Sequence, residues 1–401
     1  MLKSLWQHVR FLLSKRADSD NSISAIGNFA IVVPGDNRKL SPDELARAKW
    51  ICDEMLHLVE QRDSYICTNG IDTAFALPDA NWSRDATAQL PNEFINLFRR
   101  VAGAERETIE HFRGFCHVFT GFTIYEVRYG KGLACADMEL SAELDAEIEE
   151  SIELKNAPIV QAWLASIQDI PFPYRVNPPL FLGECGQMVN GVLVNYDTVT
   201  YQERANLIYL SGLGQWIEKT IERKGEICVC EIGGGFGALA LWIKTAFPNC
   251  SYTVIDLPEC LLFSRLYLSL NRPDVLSGSG LAPQPFGFRF VPNYMAEKLD
   301  EPFDLIINTL SMSEMSLHQV EWYVEMMKRV WLKDSGLFFE QNADNRHMNL
   351  LCAQEILAHH FPHRKKVVME SGSLINGSPN IWSLQPIDLA PGTAAAIANH
   401  A

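Results

Sequence analysis

The stretch ICVCEIGGGFGALALWIKTAF, residues 227–247, decides how this chain is read. Its apolar start, 227–232, predicts a buried strand. The strand runs into three consecutive glycines, Gly233, Gly234 and Gly235, and a fourth at Gly237. An amphipathic run over 236–246 then predicts a helix. Glycines in such a turn let the backbone take left-handed angles and come close to a ligand. The free amides at the helix start face whatever the turn holds.

Working outward, the same rhythm fills the second half of the chain. Strands are expected at 227–232, 252–256, 287–291, 303–308, 336–340, 365–370 and 380–385. Helices are expected at 202–223, 236–246, 258–270, 317–331 and 348–361. Strand–helix alternation predicts a mostly parallel α/β sheet covered on both faces. Its last two strands, joined by GSLINGSP, predict a terminal antiparallel hairpin.

The first half reads as mainly helical. SPDELARAKWICDEMLHLVEQ (41–61) carries a capping box, with Ser41 as cap, Pro42 in the first turn and Glu44 closing the box. Leu45, Ala48, Cys52, Met55, Leu56 and Val59 form its expected buried stripe. Further helical patterns lie at 91–102, 104–120, 141–154 and 158–168. Residues 2–13 form an amphipathic pattern that suits a membrane-surface helix or, as is commoner, packing on the protein's own domain or on a partner subunit. The proline-rich PFPYRVNPP (171–179) breaks the pattern. The expected organisation is a helical lid and dimerisation region (1–170), a linker and pocket-closing segment (171–200), a cofactor domain (201–390) and a flexible tail (391–401).

Charge narrows the partners. The 401 residues carry 34 Lys and Arg against 49 Asp and Glu, a net charge of −15. Such a surface repels phosphate backbones, so no nucleic-acid partner is expected. The acids of ADMELSAELDAEIEESIEL (136–154) read as the solvated face of a helix. The ten cysteines form no CxxC pair or zinc spacing, and no metal is expected. No signal peptide opens the chain, and its apolar runs are too short to span a bilayer. Cytoplasmic localisation is expected, with free thiols.

Two cofactors suit the glycine turn. Dinucleotides favour G-x-G-x-x-G/A, which Gly233, Gly235 and Ala238 satisfy. S-adenosylmethionine sites favour an acid, one residue, then G-x-G-x-G, which Glu231, Gly233, Gly235 and Gly237 satisfy. Asp256, at the end of YTVIDLPE, can accept from both ribose hydroxyls in either case, with Leu257 beside it. Three features favour adenosylmethionine: the acid at 231, the C-terminal position of the glycine domain, and the terminal hairpin. No second domain follows the sheet to bring a hydride acceptor to a nicotinamide.

The segment VCEIGGGFGALALWIKTAFPNCSYTVIDLPECLLFSRLYLS (229–269) resembles the cofactor segment of a bacterial sugar O-methyltransferase family. FDLIINTLSMSEMSLHQVEWY (303–323) resembles that family's fourth strand and following loop. GECGQMVNGVLVNYDTVTYQERANLIYL (183–210) and GSPNIW (377–382) are also similar. The likeness spans about residues 175–387. It implies a class I methyltransferase with a Rossmann-like sheet, S-adenosyl-L-methionine as cofactor, and a sugar or glycoside acceptor. It also implies that the segment at Tyr201 and Gln202 closes over the cofactor, and that Asn308 ends the fourth strand beside it. Methyltransferases often place an acid after the third strand, near the adenine. Here FVPNYM offers Asn293, which can donate or accept.

A protonated sugar hydroxyl is a poor nucleophile, so a general base or a bound metal ion must take up its proton. In open α/β sheets such groups lie on loops past the carboxyl ends of strands. After strand four, Glu314 is the first candidate and His318 the second; Glu314 also reads as a helix N-terminal carboxylate beside a capping Ser313 or Ser316. After strand five, FEQNADNRHMN offers Glu340, Asn342 and His347, with Asp344 reading as a turn residue. Thr200 or Asp197 is expected to cap the helix after 195. Two rival functions stay open on the residues: an NAD(P)-dependent oxidoreductase, and a methyltransferase-like binding or assembly protein without turnover.

Overall fold

The computed structural model describes residues 33–34, 38–77, 89–116, 119, 158–367 and 379–390. The expected helices at 2–13 and 141–154 and the tail at 391–401 lie outside the described residues. Two compact units divide the chain. The first gathers the described residues of Met1–Cys52, Arg84–Pro171 and Arg175–Gln202. The second gathers those of Asp53–Ser83, Phe172–Tyr174 and Glu203–Ala401. The sheet unit therefore starts at Glu203, and it also takes Asp53–Ser83 from within the expected helical region 1–170.

The first unit holds a small antiparallel sheet, β1 (Val33–Pro34), β2 (Cys185–Val189) and β3 (Val192–Val194). Asn190 and Gly191, both at positive φ, make the β2–β3 turn. Its helices are the start of α1 (Pro42–Asn69), then α3 (Gln89–Ala102), α4 (Arg106–Glu110) and α5 (Pro158–Ser166). The four-residue α2 (Thr73–Ala76) belongs to the second unit. The capping box of α1 forms, with Ser41 N–H donating to Glu44 at 2.8 Å and Glu44 N–H to Ser41 Oγ at 3.2 Å. Its buried stripe runs through Ala48, Ile51, Cys52, Met55 and Leu58, while Leu45, Leu56 and Val59 stay half-exposed. Beneath α4 lies a buried cluster in which Arg113 donates to Glu184 at 2.5 Å and to Asp197 at 2.8 Å.

The second unit is an eight-stranded sheet. Its strands are β4 (Ile227–Ile232), β5 (Cys250–Asp256), β6 (Ser277–Ser279), β7 (Phe288–Pro292), β8 (Phe303–Thr309), β9 (Leu332–Gln341), β10 (His363–Lys366) and β11 (Asn380–Ser383). They lie in the order β10-β11-β9-β8-β4-β5-β7-β6. Every pair is parallel except those of β11, which is antiparallel to both β9 and β10. A dinucleotide sheet in the order 3-2-1-4-5-6 has no reversed strand slotted in before its edge. The fold is the class I methyltransferase sheet.

The helices are α6 (Tyr196–Leu210), which leads into this unit, α7 (Leu213–Lys224), α8 (Ala238–Ala246), α9 (Pro258–Asn271), α10 (Leu317–Met326) and α11 (Ala353–His360). The helix expected over 202–223 is two helices, because Gly212 turns left-handed at φ +83°. A side chain there would run into the Ala390 carbonyl, where the end of the described chain crosses. The cap of α6 is Asn195, whose Oδ1 accepts from Thr198 N–H at 2.8 Å, in place of the expected Thr200 or Asp197. On one sheet face Cys230, Ile232, Ile306, Phe338 and Trp382 pack with Val320, Val324, Leu357 and Phe361. The early segment adds Ile66, Ile71 and Phe75 to that core. Among the described residues no helix is long and apolar enough to cross a membrane.

Candidate active site

The glycine turn lies at the carboxyl end of β4, between β5 and β8. Gly233, Gly235 and Gly237 stand at φ of +76°, +53° and +94°. A Cβ on Gly233 would fall inside the Ser311 side chain, so only glycine fits against the loop after β8. Gly237 caps α8 and donates its N–H to the Gly234 carbonyl at 2.9 Å. The amides of α8 thus open onto the turn.

Strand register sorts the polar side chains onto two faces, since paired residues in parallel strands project the same way. Glu231 pairs with Val254 and Ile307, and Ile307 pairs with Phe339. Glu231, Asp256 and Gln341 therefore share a face. Glu231 is buried beneath the turn and accepts from the Tyr252 hydroxyl at 3.0 Å. Burial pushes its carboxyl up to about 8, against the Tyr252 hydrogen bond and the charge of Arg204. Asp256 accepts from Leu257 N–H at 2.8 Å and from the backbone amides of Gly234 and Gly235. Burial pushes it up to about 7.

The opposite face carries a chain of amides. Asn308 Nδ2 donates to the Ile232 carbonyl at 2.7 Å and to Ser311 Oγ at 2.6 Å. Asn342 Nδ2 donates to Asn308 Oδ1 at 2.9 Å and to Glu340 at 3.0 Å, while its Oδ1 accepts from Ser313 N–H at 3.2 Å. Glu340 also accepts from Asn380 at 2.6 Å and Trp382 at 3.2 Å. Burial raises its carboxyl, and these neutral donors work against that rise. The network ties the loops after β8 and β9 to the glycine turn. Asn308 acts here on the turn's own backbone.

Asn293 follows β7, one strand beyond Asp256. Its Nδ2 donates to the Ala76 carbonyl at 3.0 Å, which fixes the amide's orientation. Its Oδ1 is buried with no hydrogen-bond partner. An orphaned buried acceptor calls for a donor, and the exocyclic amine of an adenine would be one. The positive-φ turn, the carboxylate at Asp256 and this acceptor fit the nucleoside end of S-adenosylmethionine.

The catalytic candidates do not converge. Glu314, half-buried, ends a short turn over Ser311–Glu314. It stands close enough to Cys260 that its carboxylate, after burial and Asp256 and Glu259, helps push that thiol up. Ser316, not Ser313, caps α10, in a reciprocal box with Gln319. His318 lies exposed in that first turn, with Nε2 2.5 Å from Asp72. His347 is exposed in the loop after β9, where Asp344 and Arg346 bond each other at 2.5 Å. Tyr201 and Gln202 belong to the first unit, where Gln202 Oε1 accepts from Val176 N–H at 2.7 Å.

Sequence reading missed Arg204. It is buried on α6, and its Nε donates to Gln341 Oε1 at 3.3 Å. An arginine among the buried Ala205, Leu207 and Ile208 was the available signal. Among the described residues no group of three or more His, Cys, Asp or Glu is placed to hold a metal ion.

Residues 216–277 match the model of an O-methyltransferase domain family. No curated protein matches the chain. Among solved structures, human methyltransferase-like protein 13 in complex with SAH is 15% identical. That match covers 49% of this chain and 87% of the other, with a TM-score of 0.33. An O-methyltransferase family protein from Burkholderia thailandensis is 11% identical, covering 47% and 61%, with a TM-score of 0.31. A methyltransferase from Pyrococcus furiosus is 17% identical, covering 43% and 82%, with a TM-score of 0.30. The sheet order, the acid and glycines of β4, and the matched segment define an S-adenosylmethionine-dependent O-methyltransferase.

Proposed function

We propose that the acceptor is a hydroxyl of a sugar or of a glycosylated small molecule. Three observations support this: the resemblance over residues 175–387, the polar loops past β8 and β9, and a net charge of −15 that disfavours phosphorylated acceptors. The loop after β8 carries the reading furthest, since it sets the half-buried Glu314 carboxylate at the strand end. When bound, S-adenosylmethionine supplies a methyl group already activated by its sulfonium.

The protein's work is then to position and to move one proton. The turn at Gly233, Gly234, Gly235 and Gly237 admits the nucleoside's close approach. Asp256, beside Leu257, accepts from the ribose hydroxyls, and Asn293 accepts from the adenine. Asn308 holds the turn in shape. Glu314 takes the acceptor's proton as the new bond forms. His318 is engaged with Asp72, and His347 lies exposed in the loop after β9, so Glu314 is the base in this reading. The enzyme works in the cytoplasm and pairs through its helical N-terminal region; light scattering of the full chain checks the pairing.

Methyl release on a panel of free sugars, glycosides, phenols and carboxylic acids tests the acceptor. Turnover on hydroxylated saccharides supports the reading. Turnover confined to phenols or acids overturns it.

A further inference from the structure

A helix of one turn cannot satisfy its own last carbonyls. α2 is such a helix. Asp72 caps its start by accepting from Ala74 N–H at 2.9 Å, and the carbonyls at its other end need donors from elsewhere. Two side-chain amides supply them. Gln319 Nε2 donates to the Phe75 and Leu77 carbonyls, each at 3.2 Å. Asn293 Nδ2 donates to the carbonyl between them, that of Ala76, at 3.0 Å. Three consecutive carbonyls are thus held from α10 and from the segment after β7.

Gln319 is itself locked. It is 7% exposed, and its Oε1 accepts from Ser316 N–H at 3.0 Å within the capping box of α10. A backbone N–H can only donate, so this bond settles which end of the amide is oxygen and turns Nε2 to α2.

An asparagine amide can serve a purine in two ways. Its oxygen accepts from the exocyclic amine of adenine; turned over, its nitrogen donates to the 6-oxo group of hypoxanthine. At Asn293 the Ala76 carbonyl permits only the first, because turning the amide over would set Oδ1 against that carbonyl. Oδ1 is left buried and unpartnered instead. We propose that Gln319 is a positioning residue for purine selectivity: by clamping Phe75 and Leu77 it holds the Ala76 carbonyl where Asn293 can present only an acceptor. The assignment rests on Asn293 as the adenine's acceptor, proposed above. It gives the early segment Asp53–Ser83 a part in the choice of cofactor.

Calorimetry of the full chain tests it with two probes, S-adenosylhomocysteine and S-inosylhomocysteine, which differ only in the amine or oxo group of the purine. The parent should prefer the first by about tenfold or more, the worth of one buried hydrogen bond made or left unmade. Gln319→Met fills the same space without the two donors. It frees the Ala76 carbonyl and lets the Asn293 amide turn over, so the inosyl probe should gain and the preference should shrink to about threefold or less. Gln319→Asn keeps an amide one methylene short of the carbonyls. It should lower the preference in the same direction, and it carries the test if the Met variant does not fold. Equal weakening of both probes, or a preference unchanged in both variants, overturns the assignment alone. A parent that binds the two probes alike overturns the Asn293 reading as well, and a parent that binds neither overturns the cofactor reading itself.

Discussion

The Tyr252 hydroxyl donates to the Glu231 carboxylate at 3.0 Å, and both residues are 1% exposed. The tyrosine is the acid's main polar contact beneath the glycine turn. Burial still outweighs it and raises the acid from an ordinary 4.5 to about 8. The folded state therefore holds this proton more tightly than the unfolded chain. The stability it contributes is full below 4.5 and is lost as the pH climbs through about 8. Glu231→Gln keeps an acceptor for Tyr252 and removes that loss. Its melting temperature should decline less steeply than the parent's across that window, as thermal melts at successive pH values would show. Asp256 adds a decline of the same sign, from 3.8 up to about 7, in both proteins.

Asp256→Ala removes the proposed ribose acceptor and a partner of the Gly234 and Gly235 amides. Affinity for S-adenosylhomocysteine should fall by about tenfold or more, the worth of one charged hydrogen bond. Calorimetry reads the change directly. An unaltered affinity removes the ribose contact.

Glu314→Gln should lower turnover by about a hundredfold or more, as for loss of a general base, while cofactor affinity holds. His318→Gln and His347→Gln should turn over near the parent rate. Single-turnover methyl transfer at saturating cofactor separates the three. Full activity in Glu314→Gln discards it as the base.

Asn342→Ala takes a donor from Glu340 and Asn308 and an acceptor from Ser313. Each buried group left unpaired costs about 1–3 kcal/mol. A loss of about 3 kcal/mol in urea unfolding is expected, together with reduced activity, since the loops after β8 and β9 both depend on this amide.

Two ion pairs should behave oppositely. Arg62 and Glu259 meet at 3.1 Å with both side chains buried. Removing one charge there strands the other, so Glu259→Ala should cost about 3 kcal/mol or more. Arg346 and Asp344 meet at 2.5 Å on the surface. Arg346→Ala should leave the melting temperature unchanged.

The sheet was legible where burial on both faces wrote apolar runs into the sequence, as at 227–232 and 303–308. Phe303–Thr309 and Phe288–Pro292 were placed within a residue. The edge strand Ser277–Ser279 has no such run, since it is a half-buried Ser-Gly-Ser paired with β7 alone. The β2–β3 hairpin was missed although Asn190-Gly191 is a strong turn signal. Its short strands alternate too little to register. At the turn, the glycines declare themselves because the backbone there takes positive φ. The Tyr252–Glu231 and Asn308–Asn342 contacts do not, because they come from a register set by strands far apart in sequence. His318, the second candidate base by its loop, has a partner in Asp72 that lies 246 residues away and that no local pattern announces.

The placement of Asp53–Ser83 within the sheet unit bears on how the protein comes into being. Arg62 bonds Glu259, and Gln319 bonds the Phe75 carbonyl 244 residues away. This early segment leaves the ribosome long before its partners exist. Such contacts of high sequence separation slow folding and leave Ile66, Ile71 and Phe75 uncovered in the meantime. No single cut through the chain releases an intact catalytic half: a fragment beginning at residue 201 would lack part of its own core.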